Sequence, residues 1–222
     1  MRIGVLMMIS PDGTEAFVET SVIRWLTTSG AELVYIPPTI HGAEIAAYFE
    51  MIDGLFLHQG WPEKNRAYMQ LVHTLLTMAE ADGQKPVWGS CFGFQSMLRF
   101  IGGLDRLERF DQKDRFSKQT GLHLLVDKDE SRLLGLATAV QIKHLRNIAK
   151  PYFDHEFGIS VQRFKRSEQL MSAFKILATS HDRAGKEYVS MIEGVSLPWY
   201  GVQFHPEHDP ELEWMTKVFT EQ

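Results

Sequence analysis

Short apolar segments alternate with longer amphipathic segments through the first hundred residues of this 222-residue chain. The apolar segments predict buried strands at residues 2–9, 33–36, 55–57 and 85–88, and the segments between and after them predict helices at 14–29, 43–51, 65–81 and 92–101. Because two parallel strands must be joined by a crossover connection, usually a helix, this alternation favours an α/β fold. We therefore expect a doubly wound, mostly parallel sheet of the flavodoxin-like type, flanked by helices.

The second half of the chain has a different pattern. Residues 104–172 are richer in charge and less periodic, with one short apolar run at 122–126 and a charged turn at 127–130. Three further strands are predicted at residues 170–180, 187–193 and 199–204, joined by tight returns through Gly185 and Gly194. Such returns suit antiparallel pairing. We expect an antiparallel extension of the sheet, within a single domain covering residues 1–222.

The overall composition narrows the class of protein. The chain has 28 acidic and 23 basic residues, and the resulting net charge of −5 implies no general attraction to nucleic acid. No apolar stretch approaches the roughly 20 residues that span a membrane. A single cysteine permits no intramolecular disulfide, which suits a reducing compartment. Residues 1–9 resemble a short signal peptide, but residues 10–13 fit the exit from a first strand, so we expect a cytoplasmic protein.

The single cysteine, Cys91, lies where a predicted strand runs into a predicted helix. The sequence around it is Gly89-Ser90-Cys91-Phe92-Gly93-Phe94-Gln95. A thiol between glycines at such a junction is typical of a nucleophile elbow, a strained turn that exposes its central side chain at the carboxyl edge of a sheet. Most lone cysteines are buried and inert, but this setting favours a catalytic thiol. Ligands of doubly wound sheets bind at this same edge.

A histidine and a carboxylate follow the last predicted strand. The segment reads Trp199-Tyr200-Gly201-Val202-Gln203-Phe204-His205-Pro206-Glu207. A thiol nucleophile needs a base to form the thiolate, and the base needs a partner that orients it. Cys91, His205 and Glu207 supply these three chemical types. Pro206 fixes its own φ and so stiffens the link between base and carboxylate.

Taken together, the segments around Cys91 and His205 resemble the class I glutamine amidotransferase superfamily. Residues 86–94 are most similar to the gamma-glutamyl hydrolases, which trim polyglutamate from folates, and further matches to that branch lie at 17–37, 174–180 and 186–194. The similarity is weakest across residues 104–150. The resemblance implies a Cys91–His205–Glu207 triad that forms a gamma-glutamyl thioester, with no organic cofactor. No side-chain cluster in the sequence has the spacing of metal ligands, so no metal is expected.

The resemblance also implies substrate-binding residues outside the triad. His155, in the segment 152–160, matches an active-site histidine of the hydrolase branch, where it would contact substrate or position the intermediate. The alternative is a loop histidine among aromatic residues. Gln95 belongs to the wider superfamily's motif and could hydrogen-bond the gamma-glutamyl group, although several gamma-glutamyl hydrolases carry glutamate there. Capping the helix that follows Cys91 is a comparable role for Gln95.

The segment His58-Gln59-Gly60 departs from the family pattern, because relatives usually have Pro-Gly-Gly after this strand. A backbone N–H at Gln59 or Gly60 would form half of the oxyanion hole, and the N–H of Phe92 would form the other half. A backbone donor needs no particular side chain, but a non-glycine residue restricts φ. His58 and Gln59 therefore indicate altered specificity or weak activity, with His58 a candidate substrate contact. Alternatively Gly60 alone keeps the turn and His58 is a loop residue.

The function expected from these residues is cysteine-dependent hydrolysis of a gamma-glutamyl amide, with a small gamma-glutamyl molecule as the only required partner. Two alternatives stay open: a glutaminase that passes ammonia to a separate synthetase, and a catalytically weakened gamma-glutamyl-binding protein. Lys143, His144 and Arg146 could hold an anionic tail of the substrate, although a charge run of this kind more often forms a solvated face. Exposed apolar residues on the outer helices could support a homodimer.

Overall fold

The computed structural model describes residues 1–10, 12–60, 65–105, 107–110, 121–148 and 151–221. Its strands are β1 (Arg2–Leu6), β2 (Met8–Ile9), β3 (Ala16–Phe17), β4 (Glu32–Ile36), β5 (Gly54–Leu57), β6 (Val87–Ser90), β7 (Glu108–Arg109), β8 (His123–Leu124), β9 (Phe157–Gly158), β10 (Phe174–His181), β11 (Glu187–Gly194) and β12 (Trp199–Val202). Its α-helices are α1 (Thr20–Thr27), α2 (Ala43–Met51), α3 (Arg66–Asp82), α4 (Phe92–Gly102), α5 (Arg132–Gly135), α6 (Ala139–Asn147), α7 (Val161–Arg166) and α8 (Glu168–Ala173). Short 3₁₀ segments lie at Lys128–Glu130, Pro206–His208 and Pro210–Phe219.

Eight of the strands form one mixed sheet in the order β4-β1-β5-β6-β12-β11-β10-β8. The five strands from β4 to β12 pair in parallel, whereas β12, β11, β10 and β8 pair antiparallel. The predicted α/β architecture with an antiparallel extension is therefore confirmed. Strand β12 joins the two parts, because it is parallel to β6 and antiparallel to β11. In the β6–β12 register Val202 lies beside Ser90, so the chain leaves both strands at the same edge.

Several element boundaries differ from those predicted. Residues 14–19 are not part of the first helix, since Ala16–Phe17 pairs with Met8–Ile9 in a separate two-stranded sheet. The side chains of Ser10 and Asp12 accept hydrogen bonds from the N–H of Thr14 and stabilise that turn. Pro11, in the predicted strand exit, lies outside the described residues. The predicted strand 2–9 is consequently divided into β1 and β2.

The predicted strand at 170–180 begins later than expected. The side chain of Ser167 accepts a hydrogen bond from the N–H of Leu170 and caps α8, so the chain is helical until Ala173. β10 then continues to His181. Another predicted strand, 122–126, is shortened to the two residues of β8. In contrast, the predicted helix 65–81 is confirmed, because Asn65 caps its start and Gly83, at φ 70°, ends it.

Both faces of the sheet are covered by apolar side chains. On one face Trp25 of α1 packs against Phe56 and Trp88, with ring centroids 6.1 and 5.5 Å away. On the other face Leu57, Leu75 of α3 and Phe94 of α4 are buried. This two-sided burial holds the carboxyl ends of β5, β6 and β12 in fixed relative positions. Within the part of the chain that the structure describes, no helix has the length and apolar content to cross a bilayer.

Candidate active site

Cys91 occupies a strained backbone position between β6 and α4. Its φ is 51° and its ψ is −102°, and it is the one non-glycine residue with positive φ among those described. A side chain in such a region costs about 1–3 kcal/mol and persists only where the surroundings enforce it. Here the N–H of Cys91 donates to the carbonyl of Val202 at 2.8 Å. The predicted nucleophile elbow is therefore present in the backbone geometry.

The glycines around Cys91 are required by close packing of three elements. A Cβ atom on Gly93 would overlap the backbone carbonyl of Leu57 in β5, and one on Gly89 would lie 2.6 Å from the backbone of Gly93. The N–H of Gly93 also donates to the carbonyl of His58 at 3.1 Å. The start of α4 is therefore pressed against the end of β5. This contact places the segment 58–60 beside the turn that carries the thiol.

His205 and Glu207 form a buried pair at the carboxyl end of β12. Nδ1 of His205 lies 3.0 Å from Oε1 of Glu207, and both side chains are fully buried. A carboxylate only accepts hydrogen bonds, so Nδ1 carries the proton and donates it to Glu207. Nε2 of His205 has no hydrogen-bond partner among the described groups. It is therefore the nitrogen available to accept a proton from a neighbouring thiol.

Electrostatic interactions link these two residues to Cys91. Burial disfavours the charged form of His205, but the charge of a Cys91 thiolate and the contact with Glu207 raise the pKa of the imidazole well above its usual value. Burial likewise opposes ionisation of Glu207, and the hydrogen bond from His205 outweighs it, which lowers the pKa of the carboxyl group. The structure thus brings together the three residues that the sequence singled out.

Backbone donors lie where the sequence predicted an oxyanion hole. Phe92 is the first residue of α4, and a helix provides no internal acceptor for the N–H at that position. Among the described residues, neither this N–H nor those of Gln59 and Gly60 donate a backbone hydrogen bond. The positive end of the α4 dipole adds to the attraction for a negative oxygen. That these N–H groups form an oxyanion hole stays a prediction.

His58 is buried rather than exposed in a loop. Its side chain is 1% exposed and packs edge-on against Phe56, with ring centroids 5.8 Å apart. Burial lowers the pKa of His58 to about 4, although the Glu207 carboxylate acts in the opposite direction. Its two ring nitrogens have no hydrogen-bond partner in the described structure. The electrostatic interactions of His58 are thus with Glu207, His205 and His208, and a contact of His58 with substrate stays a prediction.

His155 lies in the segment that closes over the thiol. The carbonyl of Asp154 accepts a hydrogen bond from Sγ of Cys91 at 3.6 Å, which places the neighbouring residue close to the nucleophile. Nδ1 of His155 donates to the carbonyl of Phe157 at 2.9 Å, leaving Nε2 buried without a partner. Burial lowers the pKa of His155 to about 3, so the ring is neutral at pH 7. A neutral, unpartnered Nε2 can accept a hydrogen bond from a substrate.

Gln95 links α4 to the segment that carries His155. Its Nε2 donates to the carbonyl of Phe157 at 2.7 Å and to Oε1 of Gln203 at 3.3 Å. The N-cap residue of α4, Cys91, makes no side-chain capping hydrogen bond, and the capping role considered for Gln95 stays a prediction. Whether Gln95 also binds substrate stays a prediction. The carbonyl of Phe157 thus accepts hydrogen bonds from both Gln95 and His155, which links the two side chains.

Some contacts of the site have no signature in the sequence. The carbonyls of Asp154 and Tyr152 accept hydrogen bonds from the Cys91 thiol and the His205 N–H, and a backbone acceptor can belong to any residue type. The Tyr152 ring also packs edge-on against His205, with centroids 5.4 Å apart. The charged residues considered for an anionic tail are partly engaged elsewhere. His144 pairs with Asp209 at 2.9 Å, and Arg146 pairs with Asp127 at 3.0 Å.

The fold and this site define a class of protein. Residues 14–221 match the model of the glutamine amidotransferase class-I family, and the chain belongs to that family. Two solved structures share its fold: a protein from Thermoplasma acidophilum assigned as part of a GMP synthase (TM-score 0.63, 18% identity, 99% of this chain and 92% of that one) and the glutaminase domain of CTPS from Trypanosoma brucei with bound acivicin (TM-score 0.67, 15% identity, 100% and 94%).

The curated relatives point to one branch within the family. The chain is 29% identical to gamma-glutamyl hydrolase of Mus musculus over 206 residues, which cover 89% of this chain and 62% of that protein. It is 28% identical to gamma-glutamyl hydrolase 1 of Arabidopsis thaliana over 216 residues, covering 93% and 60%. The human gamma-glutamyl hydrolase is also 29% identical, with 89% and 62% covered. The chain therefore spans about three-fifths of the length of these relatives.

Proposed function

We propose that this protein is a cysteine-dependent hydrolase of gamma-glutamyl amide bonds. The observation that carries the proposal is the joint geometry of Cys91 and His205. A thiol is held at a positive-φ turn, and a buried imidazole fixed by Glu207 has its second nitrogen unpartnered at the same sheet edge. The similarity to proteins named gamma-glutamyl hydrolase supports gamma-glutamyl as the acyl group of the substrate.

In the first half of the reaction, Nε2 of His205 accepts the proton of the Cys91 thiol. The resulting imidazolium is stabilised by Glu207, whose carboxylate already accepts the Nδ1 hydrogen bond. The thiolate attacks the side-chain carbonyl carbon of the gamma-glutamyl group. The oxygen of the tetrahedral intermediate then carries a negative charge, which the N–H of Phe92 and that of Gln59 or Gly60 would bind.

Collapse of that intermediate breaks the carbon–nitrogen bond. His205 returns its proton to the leaving nitrogen, and the gamma-glutamyl group stays on Cys91 as a thioester. Water then attacks the thioester carbonyl while His205 accepts one of its protons. When the carbon–sulfur bond breaks, that proton returns to sulfur, and the product carboxyl group loses the second proton of the water to solvent to give the free gamma-carboxylate. Every proton in this cycle is accounted for by His205, Cys91 and water, so the cycle requires no cofactor.

The substrate class is set by the acyl half of the molecule. Polyglutamyl folate, a gamma-glutamyl amine and a gamma-glutamyl peptide all present the same carbonyl to Cys91. The resemblance of residues 86–94 to the gamma-glutamyl hydrolases makes polyglutamyl folate the first candidate among them. A neutral His155, with Nε2 free to accept a hydrogen bond beside the thiol, is suited to bind the glutamyl ammonium or the scissile N–H.

Product analysis tests the proposal. Wild-type protein and Cys91→Ala would be incubated with pteroyl-polyglutamate, a gamma-glutamyl amine and free glutamine, and the products identified by mass spectrometry. We expect cysteine-dependent shortening of the polyglutamate or release of the amine. Ammonia from glutamine alone would replace this proposal with a glutaminase that serves a synthetase. Equal turnover by Cys91→Ala would contradict the mechanism.

A further inference from the structure

Three side chains of types that can bind metal ions lie together just after the carboxyl end of β12. His205, Glu207 and His208, here called the 205–208 cluster, each offer one ligand atom within 4.8 Å of the others. Two imidazoles and one carboxylate form a ligand set that zinc uses in proteins. The short 3₁₀ segment Pro206–His208 fixes the spacing of the three side chains. The backbone conformation of residues 205–208 therefore determines how close the three side chains lie to one another.

Buried polar atoms without partners surround this cluster. Oε2 of Glu207 is buried and has no hydrogen-bond partner among the described groups, and the same is true of both ring nitrogens of His58. His58 is 1% exposed and interacts electrostatically with each of His205, Glu207 and His208. Buried polar atoms without hydrogen bonds are costly and require an explanation. A cation held by the cluster would satisfy the buried carboxylate oxygen of Glu207.

The exposed end of the cluster, at His208, borders a cavity. A cavity of about 250 Å³ is lined by Arg24, Glu207, His208, Asp209 and Glu213, among others. The carboxylates of Asp209 and Glu213 against the one guanidinium of Arg24 give this cavity a negative balance that favours a cation. His208 is exposed and its ring packs at a tilt of 50° against Tyr152, with centroids 4.4 Å apart. It is therefore the ligand that an incoming ion would meet first.

We propose that the 205–208 cluster binds a divalent transition-metal ion of the zinc type, and that the bound ion stops the hydrolase. Nitrogen ligands favour zinc, copper or nickel over magnesium and calcium. The inhibitory part rests on the proposed function. To bind the metal through Nδ1, His205 changes tautomer: the Nδ1 proton passes to solvent, Nε2 takes up one proton from solvent, and the hydrogen bond to Glu207 is lost. The ring then carries its one proton on Nε2, so His205 cannot accept the proton of the Cys91 thiol.

Binding is tested without reference to activity. The Cys91→Ala variant removes the thiol, so that a metal held by Cys91 and His205 does not contribute. Zinc chloride would be titrated into this variant by calorimetry, and into the same variant carrying His208→Gln, Glu207→Gln or His41→Gln. His41 is an exposed histidine on another part of the surface and serves as the matched control. We expect one zinc per chain, with affinity reduced about tenfold or more by the first two changes and unaltered by the third.

Two results would overturn the proposal. One is the absence of zinc binding to Cys91→Ala, and the other is equal affinity when His208→Gln is added. Because His208 is exposed, that substitution does not threaten the fold. For inhibition, zinc should slow gamma-glutamyl hydrolysis by the wild type, a chelator should restore it, and His208→Gln should need about tenfold more zinc. Zinc binding without inhibition would refute the inhibitory step. If the wild-type protein hydrolysed no gamma-glutamyl substrate, the proposed function would be refuted, and calorimetry alone would decide whether the cluster binds zinc.

Discussion

Replacing Cys91 with glycine and with alanine measures the strain at the nucleophile. Both variants lack the thiol, but alanine keeps a Cβ at φ 51° and ψ −102° whereas glycine adopts that region freely. Relief of strain is worth about 1–3 kcal/mol. Glycine loses about 0.5–1 kcal/mol relative to alanine through the greater freedom of the unfolded chain. We therefore expect Cys91→Gly to be more stable than Cys91→Ala, by about 1 kcal/mol and by no more than about 2.5 kcal/mol.

The sign of this difference is diagnostic, because an alanine-to-glycine change in an ordinary helix has the opposite effect. Ala46, exposed in α2, is the matched control, and Ala46→Gly should lower stability by about 1 kcal/mol. Urea unfolding at pH 7 gives the free energy of each variant. If Cys91→Gly were as stable as Cys91→Ala, or less stable, the turn would store no strain, and the argument for an enforced presentation of the thiol would be refuted.

Three further predictions concern the base, the packing and the response to acid. Glu207→Gln should lower kcat/KM for the gamma-glutamyl substrate by about 10²–10⁴, because Nδ1 of His205 loses its carboxylate acceptor. The control Glu211→Gln should have no effect. Equal kcat/KM for Glu207→Gln and the wild type would contradict the proposed triad. Gly93→Ala should lower stability in thermal melts by about 1–3 kcal/mol, since its Cβ overlaps a β5 carbonyl, while Gly135→Ala, with its nearest neighbour at 3.7 Å, should be tolerated. His155 has a folded pKa of about 3 and an unfolded pKa near 6.5, so from pH 7 to pH 5 the unfolded chain binds a proton that the folded chain does not. The free energy of unfolding therefore decreases as the pH is lowered from 7 to 5. His155→Asn should remove about 2 kcal/mol of that decrease. If the pH dependence of stability were the same in His155→Asn and the wild type, His155 would not be a buried neutral ring.

The sheet could be predicted from sequence because its strands are apolar on both faces. Segments such as residues 55–57 and 199–202 are continuously buried, and their alternation with helices leaves few arrangements of the parallel strands. The boundaries that were wrong depend on single polar side chains. Ser10 and Asp12 hold the turn that pairs residues 16–17, where a helix was expected, with β2, and Ser167 begins a helix where a strand was expected. Such local hydrogen bonds leave no trace in the hydrophobic period.

The grouping of Cys91, His205 and Glu207 at one sheet edge could be predicted because the proposed chemistry requires particular side chains at particular junctions. Cys91 follows a strand and precedes a helix, and His205 follows the strand that pairs with it. The position of His58 could not be predicted in the same way, because burial of a polar side chain depends on the face of the sheet to which it points. His58 shares the face of Phe56 and lies beneath the triad rather than in the solvent-exposed loop. The acceptor carbonyl of Asp154 could not be predicted from any side-chain pattern.

The proposed mechanism depends on one covalent intermediate, so the most direct measurement is the mass of the protein during turnover. Wild-type protein mixed with a gamma-glutamyl substrate would be quenched in acid, weighed intact and digested to locate the added group. We predict a gain of one gamma-glutamyl group on the peptide that contains Cys91, and no gain in Cys91→Ala. A gamma-glutamyl group on another residue, or hydrolysis by Cys91→Ala at the wild-type rate, would contradict the assignment of Cys91 as the nucleophile.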